Sequence, residues 1–177
     1  MPFAKPALGK LTTVYDDAGL IVEALAVNHP PIDPAVGYRF SYKGRSLLIT
    51  GDTTKLDNIQ QFSAGVDLLV HEALAPNLLL MMHEAAEASG NDILAKIAHD
   101  VVDYHTSPAE AAETARDAGV GHLLYYHIVP PLVIPGQKAL FLNGAEDIFP
   151  DYTIGEDGVA FSLPAGTDEI IRTSSGL

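Results

Sequence analysis

Cysteine is missing from all 177 residues. Disulfides, thiolate catalysis and cysteine-ligated zinc are therefore excluded, and any metal must be held by imidazole and carboxylate. Seven histidines are available for that. Basic residues are scarce: Lys and Arg total 10 against 23 Asp and Glu, a formal charge of −13. A surface that acidic repels phosphate backbones and anionic headgroups. No basic run offsets it, so neither nucleic acid nor a membrane is an expected partner. Long apolar runs are absent as well. The five residues 78–82 form the longest of note, far short of the ~20 that span a membrane, and the first residues lack a signal-like apolar stretch. A cytoplasmic location is the expectation, unless a segment preceding Met1 carries a signal.

What remains is a globular composition, 47% apolar and 19% charged, on a length that suits one domain with a real core. No linker or internal repeat interrupts it, so residues 1–177 read as a single domain. Residues 11–15 and 20–27 are β-prone runs around the turn cluster Asp16-Asp17-Ala18-Gly19, and residues 37–42 and 46–50 form a second pair around Lys43-Gly44-Arg45. The period then changes. A short helix is expected over 56–62 and a compact strand over 66–70, ending at His71-Glu72. Two helices follow over 76–88 and 93–104. Ser107-Pro108-Ala109-Glu110 has the spacing of a capping box with proline in the first turn, and Gly119 stops that helix. A strand over 123–126 leads to His127, and a late hairpin is expected around Gly155-Glu156-Asp157-Gly158. The whole is α/β (α+β): an antiparallel meander followed by strand–helix alternation.

Four segments share one grammar. Val27-Asn28-His29, Ile49-Thr50-Gly51-Asp52 and Tyr125-Tyr126-His127 each run an apolar strand into a polar residue, and Tyr104-His105-Thr106-Ser107 puts a histidine just before a capped helix. The core fixes the backbone at such points while the side chain meets solvent. Two histidines and an aspartate there can converge on a divalent ion. His83, His99 and His122 fall outside the pattern and read as surface residues.

In order and spacing, Val27-Asn28-His29, Gly37-Tyr38-Arg39-Phe40, Ile49-Thr50-Gly51-Asp52-Thr53, Asp67-Leu68-Leu69-Val70-His71-Glu72-Ala73, His105-Thr106-Ser107 and residues 123–127 resemble the metallo-β-lactamase superfamily. The branch they look most like contains ribonuclease Z and the arylsulfatase-type hydrolases. The resemblance runs from about Val14 to Leu163 and implies the back portion of an αββα sandwich. It implies that His29 and His127 are metal ligands, that Asp52 bridges two ions, zinc foremost, and that His105 protonates the leaving group. Glu72 would orient His105 or a ligand. The implied reaction is metal-assisted hydrolysis of a phosphodiester, sulfate or other small-molecule ester.

The chain also departs from that family. No His-x-His occurs in it and no Asp directly precedes a His, so the leading His-x-His-x-Asp-His motif is absent. After His127 it reads Ile128-Val129-Pro130-Pro131, where ribonuclease Z usually has a serine and an arginine. The reading is therefore of an incomplete metal-dependent hydrolase, weakly active or inactive by itself. The alternative is a non-catalytic half-domain acting in association. In either case the early strands are expected to keep an apolar face, covered by a second copy in a homodimer or by the segment after Pro130 folding back.

Overall fold

The computed structural model describes residues 3–174. Seven strands form one sheet in chain order: β1 (Leu11–Asp17), β2 (Leu20–Ala26), β3 (Val36–Tyr42), β4 (Arg45–Ile49), β5 (Leu68–Leu74), β6 (His122–Val129) and β7 (Tyr152–Ile154). The first four pair antiparallel and the last four parallel, so β4 belongs to both halves. The change of direction follows from the connections. Tight turns join β1 to β2 and β3 to β4. The parallel half is joined through α1 (Asp57–Ser63), then α2 (Pro76–Ala88), α3 (Asp92–Asp100) and α4 (Pro108–Ala118), and last α5 (Gln137–Leu142) and α6 (Ala145–Ile148). A mixed α/β architecture was expected, and this is one.

Alternation decides which face is buried. Leu25, Leu48, Leu69, Leu123 and Tyr125 lie on one face and pack with Ile59 of α1, Ala111, Ala112 and Ala115 of α4, and Phe141 of α5. The alanines of α4 let that helix approach the sheet closely. Tyr125 is fully buried, and its hydroxyl donates to the Pro108 carbonyl at 3.0 Å, which satisfies the one polar atom that burial would otherwise strand. The capping box of α4 forms as expected. Ser107 Oγ accepts from the Glu110 N–H at 3.3 Å, the Glu110 carboxylate accepts from the Ser107 N–H at 2.9 Å, and Gly119 closes the helix at φ 62°.

The other face carries Val22, Tyr38, Phe40, Leu47, Ile49 and Leu124, all only half-buried. A two-stranded ribbon, β8 (Val159–Ser162) with β9 (Ile171–Ser174), covers part of it. Phe161 sits against His122, and Arg45 donates to the carbonyls of Thr167 and Glu169. The segment after Pro130 therefore does fold back, over one side of the face only.

Several local expectations are corrected. β7 and β8 flank residues 155–158 without pairing with each other; β7 joins the main sheet and β8 pairs with β9. β5 continues to Leu74, which places His71 and Glu72 inside a strand and fully buried. His122 is half-buried, with Nε2 2.9 Å from Thr153 Oγ1. His83 fastens α2 to α3 by donating from Nδ1 to the Ala95 carbonyl at 2.9 Å. Among the described residues, no helix is long and apolar enough to cross a membrane.

Candidate active site

Five side chains singled out in the sequence meet at the ends of β2, β4, β5 and β6. His29 follows β2, its ring held by a bond from Nδ1 to the Tyr104 carbonyl at 2.9 Å. With the proton placed on Nδ1, the Nε2 lone pair is left free, the arrangement typical of an imidazole that ligates through Nε2. Asp52 follows β4 through Gly51, whose φ of 67° is in the left-handed region and whose missing Cβ would stand 2.9 Å from the Val36 carbonyl oxygen. Another residue at 51 would strain the turn and strike the backbone of β3.

His127 reaches the site by a different device. Along β5 and β6, Glu72 pairs with Tyr126 and Ala73 with Ile128, so His127 is one residue too many. Its φ is 43°. Such a bulge aims a side chain out of the strand's alternation, and Nε2 of His127 comes to 3.4 Å from Asp52 Oδ2. The ring of His105 lies between the other two, 5.1 Å from His29 and 5.7 Å from His127 between centroids.

Glu72 supports the group from below. Its side chain is fully buried. Oε1 accepts from the backbone N–H of Thr53 at 3.1 Å and of Thr106 at 2.9 Å, and lies 3.2 Å from Nδ1 of His105. One carboxylate oxygen thereby fixes the turn after Asp52 and the residue after His105 together. Thr106 Oγ1 closes the link by donating to the Thr53 carbonyl at 2.7 Å. Glu72 Oε2 has no hydrogen-bond partner. Burial of His105 alone depresses its pKa, but contact with the Glu72 carboxylate and the charge of Asp52 outweigh this and raise it above the ordinary value.

Two residues outside the expected set belong here. Tyr104 holds His29 by its carbonyl and packs its ring against both His29 and His105. Tyr126 stands beside the Gly51-Asp52 turn, its hydroxyl pushed up to about 12 chiefly by burial and then by the Asp52 charge. The sequence signals neither role: Tyr104 acts through its backbone, and Tyr126 is placed by its pairing opposite Glu72.

For a divalent ion, the donors are right in kind, imidazoles with a carboxylate between them. They fall short as a set. Among the described residues, no three His, Asp or Glu side chains converge closely enough to hold a metal.

With that geometry in place, the lineage is direct. Residues 5–128 match the family described as the beta-lactamase superfamily domain, and the chain belongs to it. It is 33% identical over 124 residues to the ribonuclease Z of Mycobacterium tuberculosis (strain H37Rv), a match covering 70% of this chain and 41% of that one. The chain spans about half the length of the curated relatives it matches, or somewhat less. Among solved structures, the metallo-beta-lactamase fold protein YhfI of Bacillus subtilis superposes with a TM-score of 0.55 at 19% identity, covering 82% of this chain and 49% of that one. Zn(2+)-bound PqqB of Methylobacterium extorquens gives 0.50 at 16%, covering 89% and 51%. At those identities the structures share the fold alone.

Proposed function

We propose that this chain carries the proton-handling side of a hydrolytic centre that cleaves a small-molecule ester with a divalent metal, zinc by preference. The observation behind this reading is the His105–Glu72 pair, whose side chains are 7% and 0% exposed, set within a ring contact of His29 and His127. A buried carboxylate behind a histidine is a costly arrangement for structure alone, and it suits an acid that must stay protonated near neutral pH. With Nδ1 of His105 against Glu72, Nε2 is the nitrogen left to protonate the leaving oxygen. Asp52 adds negative charge on the open side, which favours the imidazolium. His29, Asp52 and His127 would be this chain's share of the metal's ligands. An ion held with further ligands from outside this set would supply an activated water and polarise the attacked group. The carriage of zinc by a protein of the same fold and the ribonuclease Z lineage support the metal; the acidic surface favours a small substrate over nucleic acid.

The test is hydrolysis of 4-nitrophenyl acetate and bis(4-nitrophenyl) phosphate by the purified protein in Zn(II), with His105→Ala beside it. Loss of a positioned general acid costs typically 10²–10⁴-fold. An unchanged rate in the variant removes His105 from the chemistry.

One observation favours a second reading, a non-catalytic unit acting by association. Phe40 and Leu47 stay half-exposed beside the β8–β9 ribbon, a face suited to a second copy of the chain. Turnover of neither ester in Zn(II), with dimer formation, selects it.

A further inference from the structure

Next to His127 lies an open cavity of about 550 Å³. That is the size of a small-molecule site. Its walls are Leu124, Tyr126 and His127 of β6, Leu132 of the following loop, Ile154 of β7 and Val159 of β8. Apart from His127 these are apolar or aromatic. The cation at the rim, Lys138, is engaged by Glu156, and Asp157 adds a further negative charge. An anionic ligand finds no free positive partner there, and the −13 charge of the chain opposes it.

His127 joins this cavity to the site. Its ring lines the cavity, and its Nε2 is 3.4 Å from Asp52. Tyr126 is shared in the same way, since its phenol meets Thr50 and Gly51 at the Asp52 turn. The floor depends on Gly155, where a Cβ would stand 2.6 Å from the Tyr125 carbonyl oxygen, too close for another residue without displacing the loop.

We propose that this cavity seats the uncharged apolar chain of the substrate, so that the ester cleaved at the adjoining His105 site carries an alkyl or acyl group. This rests on the hydrolytic reading and specifies its substrate class.

The experiment uses methyl ketones, uncharged analogues of esters that cannot be hydrolysed. 2-Butanone, 2-hexanone and 2-octanone are titrated against the purified protein and binding is read by ligand-observed NMR. Each methylene buried adds ~0.8 kcal/mol, so affinity climbs about fourfold per methylene. Val159→Gln, with Leu132→Gln as the second variant should the first lose its fold, flattens the series. A flat series in the unmodified protein overturns the proposal. So does a climbing series that a folded variant leaves unchanged. Because ketone binding needs no hydrolysis, a climbing series that the folded variant flattens, with no ester turnover, upholds the cavity and overturns the hydrolytic reading; turnover with a flat series does the reverse.

Discussion

Replacing Glu72 tests the architecture of the site more sharply than replacing any residue that faces solvent. In Glu72→Ala, the N–H groups of Thr53 and Thr106 lose their acceptor inside the protein, since both bond to the same oxygen. A buried donor left unsatisfied costs about 1–3 kcal/mol, so the two together cost about 4 kcal/mol, a large part of the roughly 5–15 kcal/mol that holds a domain folded. Glu72→Gln keeps an oxygen for both donors. It loses the charge assistance, roughly 1 kcal/mol per bond, and it relieves the burial of a carboxylate whose Oε2 has no partner. A net loss of about 1 kcal/mol is expected. Urea unfolding at pH 7 measures both. The Gln variant also tests the electrostatics. With the carboxylate gone, burial governs His105 and its pKa falls, where in the native protein Glu72 holds it up. A raised pKa contributes stability that is complete below about 6.5 and is lost as pH rises through the folded value. In Glu72→Gln the contribution reverses, and the pH dependence from His105 changes sign. Histidine ring NMR follows the titration directly. A Glu72→Ala protein within ~1 kcal/mol of the parent, or a His105 titrating higher in Glu72→Gln, refutes the reasoning.

His71 behaves in the opposite sense. Burial lowers its pKa, against the pull of the Glu72 carbonyl and the charges of Glu72 and Glu110. The unfolded chain therefore takes up the proton first, and stability falls as pH drops below about 6.5, by at most ~1.4 kcal/mol per pH unit; His71→Leu should flatten that slope in thermal melts between pH 7 and 5. Ser107→Ala removes the Oγ that accepts from the Glu110 N–H but keeps the backbone N–H that the Glu110 carboxylate accepts from, and should cost about 1 kcal/mol in urea unfolding, with no change in the histidine titrations. Calorimetric titration with Zn(II) should show binding far weaker than the ~10–16 kcal/mol of closed structural sites, abolished by Asp52→Asn; tight binding of two ions would contradict the open arrangement of the donors. Light scattering at micromolar concentration should give twice the monomer mass, and Phe40→Glu should return it to the monomer if the half-covered face makes that contact.

Much of the fold is legible in the chain because local chemistry and burial agree there. The turn clusters at 16–19 and 43–45 sit where the hairpins turn, and Ser107, Pro108, Glu110 and Gly119 delimit α4. Alternation misleads where a strand is buried on both faces. Residues 68–74 read as a strand that stops before His71, because histidine and glutamate look like surface residues. They are inside because two backbone N–H groups share one Glu72 oxygen, contacts that come from residues 19 and 34 positions away. The late hairpin fails for a similar reason. A Gly-Glu-Asp-Gly cluster predicts a turn, but not whether the strands beside it find each other or other partners. Here β6 takes one and β9 the other.

His127 is the residue on which these points converge. In a strand, successive side chains alternate faces, and a slip of one residue sends each to the other side. Tyr125 points into the helix-covered core, against Phe141. Without a bulge, the residue at 127 would point the same way, and an imidazole would enter an apolar layer with no partner. The extra residue takes it out of alternation, and Ile128 and Val129 resume pairing with Ala73 and Leu74. The same displacement leaves His127 half-exposed opposite Asp52 and makes its ring a wall of the adjoining cavity. A single backbone irregularity thus sets His127 against both Asp52 and the pocket, so that the two contacts cannot be altered independently at this position.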